Sequence, residues 1–505
     1  MTPPFEDYVR KLDGVSFRER FAVLRSEEGV VVSRGEDVAA VSGLMAAGLY
    51  ELLEFESGDT GIAYALERDS IGAVLLNNSM GVNAGDRVFK TGRVLSIGAG
   101  PGLLGRVIDP LGNPLDGEPA PDGLTSCLVE REAPPLVKRE YVSRALYTGI
   151  KAIDAMLPIG RGQRELIIGD PSTGKTSLAV EAVSNQKGSG VLSVYCCIGQ
   201  RKDRIAKVID EVRRHGNPAS TVFVVADASD SLGLQYIAPY SATAVAEFFM
   251  DRGRDVLLIY DDLTKHAMAY RSLNLLLKRP PGREAYPGDI FFIHSRLLER
   301  AANIGGRFGG GSITALPIIE TQRGGISAYI PTNLISITDG QIYLDLNLFN
   351  RGFRPAIDFG RSISRIGGKA QADIMRTVSA NLRIDYSRFL EVEVFTRFGA
   401  KVEDETARLI GHGERLREIL KQPRFELYKM EDEALTFLAL GSGALDKTNP
   451  SMAQKACNDL LAGIKEGMPE LVKKVREMER LSTDEIKAAK EFFRKAMNDA
   501  GITRD

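Results

Sequence analysis

The sequence predicts a multidomain α/β protein: a small antiparallel β-barrel or sandwich, then an α/β domain on a mainly parallel sheet, then an α-helical bundle. Three observations carry this reading. From Gly29 to Ile97 short β-like runs recur, separated by Gly, Asn and Asp. From residue 145 to 370 strand-like and helix-like stretches alternate, the pattern of a parallel sheet covered on both faces. Beyond Gln371 the β texture stops and apolar residues recur at helical spacing.

At 505 residues, the chain has room for about three domains of ~150 residues. The divisions we read are an N-terminal segment (1–28), the β-rich unit (29–97), the central domain (98–371) and the helical domain (372–505). A net charge of −2 gives no global basic field, so nucleic acid is not an expected partner. Four cysteines, Cys127, Cys196, Cys197 and Cys457, lie in no C-x-x-C spacing, which argues against a disulfide framework or a zinc site. No run of ~18 uncharged apolar residues occurs, so no direct membrane insertion is expected.

In order, Phe5, Tyr8, Val9 and Leu12 sit at near-helical spacing, fitting a short docking helix or a partly ordered tail. The β-like runs are Val30–Val32, Val38–Val41, Leu49–Phe55, Ile62–Leu66, Ala73–Leu76, Arg87–Phe89 and Val94–Ile97. They carry no basic, aromatic-interleaved face of the kind that binds oligonucleotides. Turn-rich Gly100–Arg106, Asp109–Gly117 and Pro134-Pro135 mark a junction. Strand candidates follow at Leu166–Ile168, Val191–Ile198, Thr221–Ala226, Asp255–Tyr260 and Ile290–Ile293. In the last third, Met375, Val378 and Leu382, then Leu409, Leu416 and Leu420, then Leu460, Leu461 and Ile464 mark helices, and Ser482-x-x-Glu485 is a capping box.

The chemistry centres on Gly169-Asp170-Pro171-Ser172-Thr173-Gly174-Lys175-Thr176, which fits G-x-x-x-x-G-K-[ST] between an apolar run and a helix-like stretch. Glycines let backbone N–H groups close round phosphate oxygens, and the helix N-terminus favours the anion. Lys175 is expected at the β and γ phosphates and the Thr176 hydroxyl on Mg²⁺. Val256–Asp262 is an apolar strand ending in two carboxylates. Asp261 is the expected Mg²⁺ partner and Asp262 the second, with capping of the next helix as the alternative use. Bound ATP or ADP with Mg²⁺ is the cofactor set this implies.

Ile198-Gly199-Gln200-Arg201, Ile259–Lys265, Arg279–Asp289, His294–Ala301 and Ser336–Gln341 resemble the α-subunit family of F-type ATP synthases, and the likeness runs from about Gly29 past residue 440. The resemblance implies an N-terminal β-barrel, a RecA-like P-loop NTPase domain and a helical C-terminal domain. It implies a ring of three α and three β subunits round a γ stalk, with a delta or peripheral-stalk contact, on the cytoplasmic face of the cell membrane. The family's catalytic β paralogues carry Glu where this chain has Gln200, which cannot accept a proton as a carboxylate does. A non-catalytic, nucleotide-holding site is therefore expected.

By the same resemblance, Arg365 in Gly360–Gly368 is an arginine finger acting in trans, Ser362 a serine needed for activity, and Ser336 one near the interfacial phosphate. Arg354-Pro355 and Gln422 match positions lining the base and ribose pocket. The chain differs from the family pattern at Pro171-Ser172, where Arg-Gln is usual, and at Arg424, where a second Gln is common. The implied function is a regulatory subunit of a complex that makes ATP using an H⁺ or Na⁺ gradient, or pumps ions in reverse. A homohexameric secretion or flagellar-export ATPase is the alternative, and an RNA-translocating hexamer is opposed by the non-basic β unit.

Overall fold

The computed structural model describes residues 27–77, 81–322, 324–396 and 404–499. The proposed helix or tail at the N-terminus lies almost wholly outside them. Six antiparallel strands, β1 (Glu28–Arg34), β2 (Val38–Ser42), β3 (Glu51–Phe55), β4 (Thr60–Leu66), β5 (Ile71–Leu75) and β6 (Arg87–Val94), close into a barrel in the order β1-β2-β5-β4-β3-β6. Strand alternation builds its core: Val31 is 1% exposed while its neighbours Val30 and Val32 are 43% and 58% exposed. Val31, Leu53, Phe55, Leu75 and Val88 fill the interior.

Arg87–Phe89 and Val94–Ile97 are not two barrel strands. β6 runs unbroken through Lys90–Arg93, and the chain then leaves the barrel, Ser96–Ala99 pairing with Thr125–Leu128.

The central domain is an eight-stranded sheet of β7 (Val107–Ile108), β8 (Glu165–Gly169), β9 (Leu192–Gln200), β10 (Thr221–Asp227), β11 (Asp255–Asp261), β12 (Ser312–Glu320), β13 (Gly340–Leu344) and β14 (Ile363–Ser364), ordered β14-β13-β8-β12-β11-β9-β10-β7. Every pairing is parallel except β13 with β14. Its helices are α1 (Lys151–Met156), α2 (Lys175–Ser184), α3 (Lys202–His215), α4 (Leu232–Met250), α5 (Leu263–Leu276), α6 (Ile290–Leu298), α7 (Tyr329–Ile337) and α8 (Leu346–Asn350).

The run Ile290–Ile293, read as a strand, opens α6 instead. Burial recurs at Ile290, Ile293, Leu297 and Leu298, while Phe291 and Phe292 face outward, so the period is helical. Four apolar residues are too few to separate the two periods. The strand in that part of the sheet is β12, which the sequence reading missed.

The helical domain comprises α9 (Asp373–Ser379), α10 (Leu382–Thr396), α11 (Asp404–Leu420), α12 (Met430–Leu440), α13 (Ala453–Gly467), α14 (Pro469–Arg476) and α15 (Thr483–Asp499). The capping box forms as expected: the Ser482 N–H donates to Glu485 (2.8 Å) and the Glu485 N–H to Ser482 Oγ (3.2 Å). This domain shares one apolar core with the lower face of the sheet, so the two are not separable by their packing.

At that junction Glu433 of α12 is fully buried and meets Asp154 of α1 carboxyl to carboxyl, while the Asp154 oxygens accept the N–H groups of Thr148 and Gly149. Burial raises both carboxyls, Asp154 to about 6 and Glu433 well above the ordinary range. Both groups hold protons more tightly folded than unfolded. Their contribution to stability is therefore full at acid pH and is lost as pH rises through the folded values. Glu433→Gln mimics the protonated acid, and we expect it to raise the melting temperature at about pH 8 by roughly 1 °C per kcal/mol recovered, given an unfolding entropy that grows with chain length. At about pH 5 the change should be small. Calorimetry at the two pH values checks this.

Candidate functional site

β8 ends at Gly169, the loop turns at Gly174 with a left-handed φ of 103°, and α2 begins at Lys175. Gly169 is required by space, since a Cβ there would overlap the Leu344 carbonyl oxygen of β13. Ser172–Thr176 line a cavity of about 790 Å³, whereas Gly169, Asp170 and Pro171 frame the loop from outside it. The Asp170 carboxylate anchors that frame by accepting from Thr321 Oγ1 (2.7 Å) and the Gly324 N–H (2.8 Å).

Lys175 is buried and donates to the Asp170 carbonyl oxygen at 2.7 Å. Burial lowers its pKa, opposed by the charges of Glu320, Asp262 and Asp261. Thr176 Oγ1 donates to Asp261 Oδ2 at 3.0 Å, so the two expected Mg²⁺ partners are brought together across α2 and β11. Tyr195 donates to the same oxygen at 2.9 Å. Asp262 takes the other use foreseen for this pair: its Oδ1 accepts the Lys265 N–H (2.8 Å) and caps α5.

Gln200, at the end of β9, donates its amide to Asp261 Oδ1 (3.3 Å) and Asp262 Oδ2 (3.1 Å). Burial, followed by the charge of Asp261, raises Asp262 to about 7. Glu320 completes the group and was missed in the sequence. Its carboxylate lies 3.8 Å from Lys175 Nζ at the end of β12. The signal was available, an apolar strand ending in a carboxylate as β11 does.

The other end of the cavity is walled by Phe349, Arg354, Pro355, Gln422 and Arg424. The Arg354 guanidinium lies 4.9 Å over the Phe349 ring. Gln422 lines the space, but its amide is committed elsewhere: it accepts the Lys151 N–H (3.1 Å) and donates to the carbonyls of Gly149 (2.7 Å) and Glu426 (2.6 Å). Arg424 pairs with Glu211 of α3, the Phe425 N–H donates to Glu181 of α2 (2.8 Å), and the Phe425 ring stacks on His215 at 3.9 Å. The helical domain thus straps itself across α2 and α3, the helices that line the cavity.

Arg365 lies elsewhere. It follows β14, which pairs with the first residues of β13, so it sits at the opposite end of the sheet from Gly169 and outside the cavity. Its N–H donates to the Asp339 carbonyl (2.9 Å), and its exposed guanidinium donates to the carbonyls of Thr338 (3.0 Å) and Ile335 (3.4 Å) at the end of α7. Helix C-termini favour a cation. Ser336 is exposed on the same helix end, its hydroxyl turned back to the Thr332 carbonyl (3.0 Å).

Ser362, the serine that the resemblance implies is needed for activity, lies two residues before β14 ends. It is fully buried, donates to the Asp358 carbonyl (2.6 Å) and accepts the Tyr343 N–H (2.9 Å). Its place is to hold the turn that carries Arg365.

Residues 149–364 match the family described as ATP synthase alpha/beta family, nucleotide-binding domain, and residues 371–496 match ATP synthase alpha/beta chain, C terminal domain. The chain belongs to the ATP synthase alpha/beta family. Among curated relatives, ATP synthase subunit alpha 1 of Chlorobium luteolum is 50% identical over 459 residues, 91% of this chain and 90% of the relative. ATP synthase subunit alpha 1 of a Marinomonas species is 48% identical over 485 residues, covering 95% and 94%. ATP synthase subunit alpha of Caldanaerobacter subterraneus is 47% identical over 472 residues, 93% of each.

In this ATP synthase alpha/beta chain, the cavity lies in the family's nucleotide-binding domain, and Arg365 falls between its two matched domains. The named relatives favour the ATP synthase reading over an export ATPase.

Proposed function

We propose that the chain is a non-catalytic alpha-type subunit of an ATP synthase head, holding Mg-ATP in its own cavity and lending Arg365 to the catalytic site of a neighbouring beta subunit. One observation carries this reading. The phosphate loop and Arg365 occupy opposite ends of β8 and β13, roughly 15 Å apart at ~3.3 Å per residue, so the finger serves a nucleotide other than the one its own chain holds. The complex would condense ADP and phosphate using a transmembrane H⁺ or Na⁺ gradient, or hydrolyse ATP in reverse. Beta, gamma and delta or peripheral-stalk subunits are the partners this requires. No helix among the described residues is long and apolar enough to cross a membrane, which fits attachment through partners on the cytoplasmic face.

In the cavity, N–H groups of Ser172 to Lys175 would hold the phosphates and Lys175 would supply a positive charge to the β and γ oxygens. The Thr176 hydroxyl and the Asp261 carboxylate form an oxygen donor set suited to Mg²⁺ and would hold the ion there. When bound, the ion neutralises charge on the β and γ phosphates. Gln200 occupies the place from which a carboxylate would draw a proton off water, and an amide does not accept one. Arg354 and Pro355 would border the base, with Gln422 and Arg424 closing the rim.

The isolated chain is therefore expected to bind Mg-ATP and to hydrolyse it negligibly. Calorimetric titration with Mg-ATP and a coupled phosphate assay on the same sample test both halves. Vigorous turnover by a pure homo-oligomer would sink this reading in favour of the homohexameric ATPase.

A further inference from the structure

Glu165 opens β8 and is fully buried. In the sheet it stands level with Gly340 of β13, which stands level with Ser364 of β14, the residue before Arg365. The carboxyl does not point along its own strand. It lies over Gly340, where an added Cβ would overlap Oε2 and stand 2.8 Å from Oε1. The same Cβ would also overlap the Ile363 carbonyl oxygen of β14, so the backbone of that strand, with the carboxyl beside it, requires glycine at 340.

One oxygen, Oε2, accepts from Gln163 Nε2 at 2.6 Å, and that amide also reaches Ser364 Oγ at 3.4 Å. Ser364 in turn donates to the Pro158 carbonyl (2.9 Å) and accepts the Gly367 N–H (3.2 Å), fixing both sides of Arg365. The other oxygen, Oε1, meets no hydrogen-bond donor among the described residues. A buried ionised oxygen with no donor is costly, and a protonated acid removes that cost.

The charged groups facing this carboxyl are few. Arg164, just before β8, is turned to Asp339 (2.9 Å) and to Glu299 at the end of α6, and so does not serve Glu165. Asp339, in the turn before β13, disfavours a second negative charge, and Arg365 favours one. From α10, Arg383 is occupied by the Ser362 carbonyl (2.7 Å). Burial dominates, so the carboxyl is held neutral well above the ordinary carboxylate range.

We propose that Glu165 is a positioning residue for Arg365: neutral, it leaves the guanidinium on the outer face at the end of α7, and on ionising it draws the guanidinium inward across Gly340, away from the neighbouring subunit. The inference rests on the finger role of Arg365. Its readout is a pH profile. As pH rises, Glu165 loses its proton, the finger withdraws, and turnover falls on the alkaline side with KM for ATP unchanged. The fall approaches about tenfold per pH unit beyond the folded pKa.

The test uses this chain assembled with its beta and gamma partners, measuring ATP hydrolysis from about pH 6.5 to 9.5. Wild type should show the alkaline fall in kcat, and E165Q, which cannot ionise, should stay flat relative to its own neutral rate. The same fall in E165Q, or no fall in wild type, overturns the proposal. Should E165Q not assemble, Glu165→Asp takes its place. Its shortened carboxyl no longer spans Gly340, so its fall should be weaker, and a profile superimposable on wild type overturns the proposal. Arg365→Ala in the same complex separates the two claims: full turnover there removes the finger role itself, whereas an inactive R365A beside an unaltered E165Q profile removes only Glu165.

Discussion

Arg365→Ala, assembled with beta and gamma partners, is expected to lower ATP turnover by ~10³-fold or more, within the range an arginine finger supplies. Assembly should survive, because the side chain is exposed and its two hydrogen bonds go to backbone carbonyls at the end of α7, which can turn to water when it is removed. KM for ATP should change little, since the guanidinium gains most of its interaction energy as charge develops on the transferring phosphoryl group. Lysine should rescue only part of the rate, lacking the planar fork that contacts two oxygens at once. Co-purification of the complex followed by steady-state hydrolysis decides the matter, and an unchanged rate would falsify the role.

Lys175→Met should act in the opposite pattern. Lys175 is the buried cation among Glu320, Asp261 and Asp262, and removing it leaves carboxylates facing the incoming phosphates. Charged hydrogen bonds of this kind are worth ~1.5–3 kcal/mol each. Mg-ATP affinity of the isolated chain should therefore drop by about 10²-fold. Turnover of the assembled complex should fall far less than with Arg365→Ala, because chemistry occurs at the site Arg365 faces. Equilibrium dialysis and hydrolysis assays on one preparation measure both. Equal loss of turnover in the two variants would place the chemistry in this chain's own cavity.

What could be read from the sequence divides along local and non-local lines. The phosphate loop is contiguous, so Gly169 to Thr176 could be placed between a strand and a helix from spacing alone, and the structure agrees. Asp261 and Asp262 were found as a pair, but which one meets Thr176 and which one caps α5 depends on the backbone course after β11. Glu320 needed β12, whose continuous apolar run was not recognised as a strand. Ser362 and Gln422 came from resemblance, which says where a residue matters and not how. Only packing shows that one hydroxyl is enclosed and one amide spans two domains. Glu165 could not have been singled out, since its nearness to Arg365 arises from a register across three strands distant in sequence.

The barrel has a consequence for how such chains can meet at their N-terminal ends. Every strand of β1–β6 is hydrogen-bonded on both sides, including the seam between β1 and β6. An open sheet invites another chain to add a strand, and a closed one offers no ladder to extend. Any crown built from these barrels must be held by side chains and loops, whose contacts are specific to the neighbour and sensitive to salt where they are charged. The closed seam thereby guards against indiscriminate strand-to-strand stacking of one chain on another.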